Sequence, residues 1–158
     1  MEPLLAALES WPVAALLRGS SVSYLLVNAA HILAIGLLIG AIVTLDLRLL
    51  GAFAAYPVAH LAPPLRRVAA WGLALAAATG FLLFSTRPLA FVDNPAFLSK
   101  LGLIGFGLLN IFCLSRNPHW RAAMAGGAVH GAVRASALLS LLAWVAAVVA
   151  GRWIGFLQ

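Results

Sequence analysis

Apolar residues along this chain gather into four long blocks, separated by short stretches rich in proline, glycine, asparagine and arginine. The blocks are Val22–Leu45, Val68–Phe84, Phe97–Leu114 and Ala135–Ala150. About 20 apolar residues at 1.5 Å per residue cross the hydrocarbon layer of a bilayer. Each block therefore predicts a membrane-spanning helix. The separators carry turn chemistry: Gly51, Pro57, Pro63 and Pro64 in the first, Pro88, Asp93, Asn94 and Pro95 in the second, and Asn117, Pro118, Gly126 and Gly127 in the third. Asn94-Pro95 reads as a helix start, with Asn94 capping and Pro95 at the first helical position. Ahead of the first block, Pro3–Leu17 places Leu4, Leu8 and Trp11 at helical spacing, which predicts a short amphipathic helix lying in the interface. Glu2 and the late start of the first apolar run do not fit a cleavable signal. The expected fold is an all-α integral membrane four-helix bundle, one domain, with a short N-terminal interfacial amphipathic helix.

Composition agrees with the pattern. Of 158 residues, 64% are hydrophobic and 9% charged, against roughly 25% charged in soluble domains. A net charge of +6 raises nucleic acid as a partner. That reading is rejected, because the basic residues stand singly at the ends of apolar runs and form no basic block. The bilayer is the expected partner. Their distribution also orients the chain. Arg48, Arg66, Arg67, Arg116, Arg121 and Arg134 fall on one side; Arg18, Arg87, Lys100 and Arg152 fall on the other. The excess of Lys and Arg marks the cytoplasmic side, so both termini are expected on the outer, periplasmic side. Cys113, the single cysteine, is expected to be a small buried hydrophobe.

Small residues mark expected helix contacts. Gly36 and Gly40 form GxxxG in the first span. Gly72, Ala76 and Gly80 recur in the second, and Ala143, Ala147 and Gly151 in the fourth. At 100° per residue, Tyr24, Asn28, His31 and Asp46 share a sector of roughly 60° on the first span, and Gly36 and Gly40 lie about 140° and 180° from His31. The polar stripe is expected to face the bundle interior, because unpaired polar groups in lipid are costly. The glycine face is expected to meet another helix or another copy of the chain. The third span carries Ser99, Phe106, Asn110, Cys113 and Asn117 on one side. Asn110 needs a partner and lies about 13 Å deeper than His31. Asp46, with Arg66, Arg67 and Arg116 expected nearby, reads as an interfacial ion-pair partner, and Arg48 belongs to the same structural polar set.

A mid-span histidine is a functional-site candidate by default. Three uses of His31 are open. A haem b iron needs an axial imidazole, space beside small residues and cations for its propionates; His31, with Arg87, Lys100 and Arg152 on the same membrane half, offers one version of each. His60, His119 and His130 belong to the opposite side, with His130 about 28 Å away, so a bis-histidine haem within one chain is not expected. A quinone or lipid head group is the second use, held by Tyr24, Asn28 and His31. The third is a hydrogen-bonded structural histidine in an accessory subunit. No nucleophile–base pair, phosphate loop, zinc spacing or carboxylate pair is evident, and the chain has only four acidic residues, so the expected role is non-enzymatic.

The stretches His31-Ile-Leu-Ala-Ile-Gly-Leu-Leu-Ile-Gly40, Leu45-Asp-Leu-Arg-Leu-Leu-Gly51 and Asn94-Pro-Ala-Phe-Leu-Ser-Lys100, with Asn110, resemble a family of small four-span bacterial inner-membrane proteins of unknown function. The resemblance covers roughly Val22 to Ala150. A distant similarity reaches the membrane domains of CopD-like copper-resistance and b-type cytochrome proteins, which place histidines within their spans. The resemblance implies a bacterial inner-membrane location and draws attention to His31, Asp46, Arg48, Asn94, Pro95, Lys100 and Asn110.

Overall fold

The computed structural model describes residues 2–156. Among the described residues, eight helices follow one another: α1 Glu2–Glu9, α2 Pro12–Gly19, α3 Ser21–Leu50, α4 Val58–Ser85, α5 Pro88–Val92, α6 Pro95–Arg116, α7 Pro118–Met124 and α8 Gly131–Trp153, with a 3₁₀ turn over Ile154–Phe156. The helices α3, α4, α6 and α8 are long and apolar enough to cross a membrane. The chain is a small multi-pass integral membrane protein, and the all-helical bundle is the expected fold.

The helices extend past their apolar blocks. With 30 residues, α3 is about 45 Å long at 1.5 Å per residue, well beyond the roughly 30 Å hydrocarbon layer. It stops at Gly51, whose φ of 120° is a conformation that side-chain-bearing residues rarely adopt. Pro63 and Pro64 do not break the first connection; both lie inside α4. They leave the carbonyls of Ala59 and His60 without the usual N–H partner four residues on. That is tolerable at the polar end of the helix, where His60 is exposed and water can bond them. The second connection contains α5, and α6 starts as its sequence predicts: the Asn94 side chain accepts from the Ala96 N–H at 3.0 Å and Pro95 is the first helical residue.

The N-terminal segment is two helices, not the single helix expected over residues 3–17. The break falls at Ser10–Trp11. A residue before proline is pushed out of helical geometry, and Trp11, before Pro12, has ψ 139°. Of the expected apolar face, Leu4 is exposed; the side chains that bury are Ala14 and Leu17. Arg18 donates to the Thr86 carbonyl at 3.1 Å, Trp11 packs on Phe81 with ring centroids 6.4 Å apart, and α1 rests on α5. These pieces cover the end of the bundle formed by the start of α3 and the end of α4, here the upper end. The lower end carries the 51–57 turn and α7.

The long helices pack in the order α4–α3–α8–α6, with no extended contact between α4 and α6. The closest seam is α3–α4. A Cβ built on Gly72 would lie 2.7 Å from the Leu38 backbone nitrogen, so glycine is what lets the two backbones meet. Leu49, Val58, Ala62, Trp120, Val133 and Ala137 form the lower core. Leu38, Ile42 and Trp144 form a second cluster at mid-height. Large apolar side chains such as Leu33, Leu37, Leu142 and Val149 are exposed, and this is the surface that contacts lipid tails. Cys113 belongs to it and is exposed, contrary to the expected burial; it lies on the flank of α6 that no other helix covers.

Candidate functional site

The polar stripe on α3 turns inward only over part of its length. Leu38, Ile42 and Asp46 are buried and His31 is half-buried, whereas Tyr24 and Asn28 are exposed. The seam explains the difference: the α3 residues that cluster with Trp144, Val133 and Ala137 of α8 are Leu38, Ile42 and Leu49, all below His31. Above that level the stripe outruns its cover. Tyr24 and Asn28 therefore do not form an interior pocket with His31.

His31 is tied to α4. Its Nδ1 lies 2.8 Å from the Thr79 hydroxyl oxygen, and its ring rests on Gly80, where a Cβ would come within 3.0 Å of Cε1. The same hydroxyl is 2.7 Å from the Leu75 carbonyl. A carbonyl only accepts and a hydroxyl has one proton, so Thr79 donates to Leu75 and accepts from His31 Nδ1–H. In this arrangement the ring proton sits on Nδ1, and Nε2 faces away from the bond. Lys100 lies within electrostatic reach of His31. Its stem packs on α8, 3.4 Å from where a Gly151 Cβ would be. Arg87 is exposed at the start of α5, and Arg152 reaches over the Phe156 ring at 5.5 Å. The upper end thus collects these cations, but only Lys100 is drawn into the bundle.

Lower down, Asn110 finds its partner on α8. Its Nδ2 donates to the Ser136 carbonyl at 2.9 Å, and the Ser136 hydroxyl donates back to Oδ1 at 2.9 Å. The pair clamps α6 to α8 and is saturated by its own members. Arg48 donates from Nε to the Tyr56 carbonyl at 2.5 Å, closing the turn after α3. Asp46 behaves differently from the ion-pair expectation. It is 6% exposed, its Oδ2 has no hydrogen-bond partner, arginine included, and Ser140 stands beside it. The arginines point elsewhere: Arg66 lies 5.8 Å over the Trp120 ring and Arg116 4.1 Å over Phe112. Long cationic side chains near helix ends extend toward the interface, whereas Asp46, with a single methylene, stays where its backbone puts it.

No family model, curated protein or solved structure matches this chain.

Asp46 lines a cleft of about 240 Å³ between all four long helices, together with Ile42, Ala69, Ile111, Ser140 and Trp144. A second groove lies on the outer α6–α8 surface between Pro95 and Trp153. His31 borders neither. Three contributors were hidden in the sequence. Thr79 reads as a mild polar residue that bonds its own helix; only its place beside Gly80, on the small-residue face of α4, signals a contact. Ser140 reads the same way. Trp144 sits next to the small-residue face of α8 and looks like lipid-facing bulk, yet it is 2% exposed, lies against Gly107, and leaves its Nε1–H without a partner.

Proposed function

We propose that this chain is a non-enzymatic subunit of the bacterial inner membrane that joins a second copy of itself, or a larger membrane complex, through the Gly36–Gly40 face of α3. One observation carries the reading. The glycines of α4 are used within the chain, with Gly72 against Leu38 and Gly80 against His31, whereas a Cβ on Gly36 or Gly40 would meet nothing within 4 Å. Small residues let helices approach closely in lipid, where packing replaces the hydrophobic drive. The likeness to small four-span inner-membrane proteins supports the same location. The orientation that goes with it puts the lower, arginine-rich end in the cytoplasm and both termini outside. Native mass spectrometry of particles released from membranes tests association. Gly36→Leu is expected to reduce the assembled fraction at least fivefold, and an unchanged particle mass sinks the interface.

A haem reading keeps one specific observation in its favour. Metal-ligating histidines commonly donate their other ring N–H to a fixed acceptor, and His31 does so through Thr79. The surroundings supply less. From Thr79, beside His31, to His60 is 19 residues along α4, about 28 Å, and neither cleft borders His31. A haem would have to be five-coordinate or shared between copies. Absorption spectra of the oxidised and dithionite-reduced protein decide the matter. A Soret band that disappears in His31→Ala makes the chain a cytochrome, and a colourless protein as purified keeps the packing subunit.

A further inference from the structure

The central cleft holds a buried carboxyl oxygen, Asp46 Oδ2, that has no hydrogen-bond partner among the described residues. Because α4 and α6 make no extended contact, the space between α3, α4, α6 and α8 opens sideways between them. Ala70 on one lip and Leu108 and Ile111 on the other are exposed. Asp46 lies in the lining, nine-tenths buried, with Oδ2 unpartnered. Of the neighbouring polar groups, Asn110 and Ser136 bond each other, and Arg66 covers the Trp120 ring. Ser140, beside the carboxyl, has one proton and serves at most one of its oxygens. The Trp144 Nε1–H, packed against Gly107, does not reach Oδ2. A buried acceptor without a donor is destabilising. The missing donor has one open route in, from the lipid, between α4 and α6.

The charges around the cleft define what kind of donor it is. Arg66, Arg67, Arg116, Arg121 and Arg134 all stand at this end of the bundle, and they disfavour a cationic head group. The Asp46 carboxyl disfavours an anionic one. The rest of the wall is aliphatic and indole surface, suited to an apolar body. We propose that the cleft binds a neutral, lipid-soluble alcohol whose hydroxyl donates to Asp46 and whose apolar chain leaves between α4 and α6. A site of this kind is mostly apolar with a small number of placed polar groups, as ligand pockets generally are.

The test uses the whole protein in lipid nanodiscs and dodecan-1-ol carrying a mid-chain diazirine, with labelled residues read by mass spectrometry. Label is expected to concentrate on 65–73 of α4 and 108–114 of α6. Unlabelled dodecan-1-ol should reduce it at least fivefold, and dodecane at the same membrane concentration should leave it unchanged. Asp46→Leu should abolish the difference between the two competitors. Label spread over the outward faces of α3 and α8 overturns the proposal, as does dodecane competing as well as the alcohol. Stronger competition by dodecylamine or dodecanoate overturns the neutral head group. Should Asp46→Leu fail to fold, the competition in the wild-type protein decides alone.

Discussion

Trp144→Ala should lower the stability of the bundle by about 3 kcal/mol, more than any other single truncation in the span helices. The indole is 2% exposed, clusters with Leu38 and Ile42 of α3, and touches α6 where Gly107 makes room. It is the side chain through which α8 holds two neighbours at once. Lipid tails are as apolar as the core, so the transfer part of the loss is small. What remains is lost packing around a cavity that the backbone cannot close, and this places the value at the low end of the range for soluble cores. Trp144→Phe is a different matter. It keeps most of the ring and removes the Nε1–H that has no partner, and a buried donor without an acceptor costs roughly 1–3 kcal/mol. The Phe variant should therefore stay within about 1 kcal/mol of the wild type. SDS titration followed by circular dichroism measures both. Equal losses for Ala and Phe would mean that the indole nitrogen, and not the packed ring, matters.

Gly72→Ala should cost about 2 kcal/mol in the same assay, an overpacking effect. The added methyl would stand 2.7 Å from the Leu38 nitrogen and 3.1 Å from the Ala34 oxygen. Both are backbone atoms, which have no rotamer to change, so the α3–α4 seam itself must widen. The control is Gly102→Ala on α6, where a Cβ meets nothing within 4 Å; there the substitution should be neutral or slightly stabilising, because glycine is a poor helix former. If both substitutions behave alike, the close approach at Gly72 is not what holds the seam.

Most of the fold was readable from the sequence, and the reasons are local. Twenty-residue apolar blocks have one solution in lipid, since every backbone group must bond within its own helix. Asn94-Pro95 announces its helix start through its own chemistry. Several of the misread places depend on a neighbour far away in the chain. Pro63 and Pro64 look like breakers until the helix is seen to begin at Val58 and to carry them near its polar end. Tyr24 and Asn28 share the His31 stripe by angle, but angle does not say at what height a partner helix arrives. Asp46 had arginines at the right depth, yet Arg116 stacks on Phe112, one turn back on its own helix, a pairing that spacing allowed, and Arg66 covers Trp120, which spacing could not show. Asn110 needed an acceptor, which the sequence could state; that the acceptor would be Ser136 required the α6–α8 register.

The helix order α4–α3–α8–α6 also bears on how the chain is made. The α3–α4 pair is complete as soon as residue 85 has left the ribosome, with its own glycine seam and its own His31–Thr79 bond. In contrast, α6 touches what was made before it chiefly at its start, where Phe97 packs on Phe84 and Phe91; the extended partner of its length is α8. It must wait in the membrane, with Asn110 unpaired, until Ser136 arrives. The third span is therefore the one that depends on the insertion machinery for shelter, and α8 is the bolt that joins two separately inserted halves. Truncation before residue 131 should leave a folded hairpin beside a helix that quality control can recognise and remove.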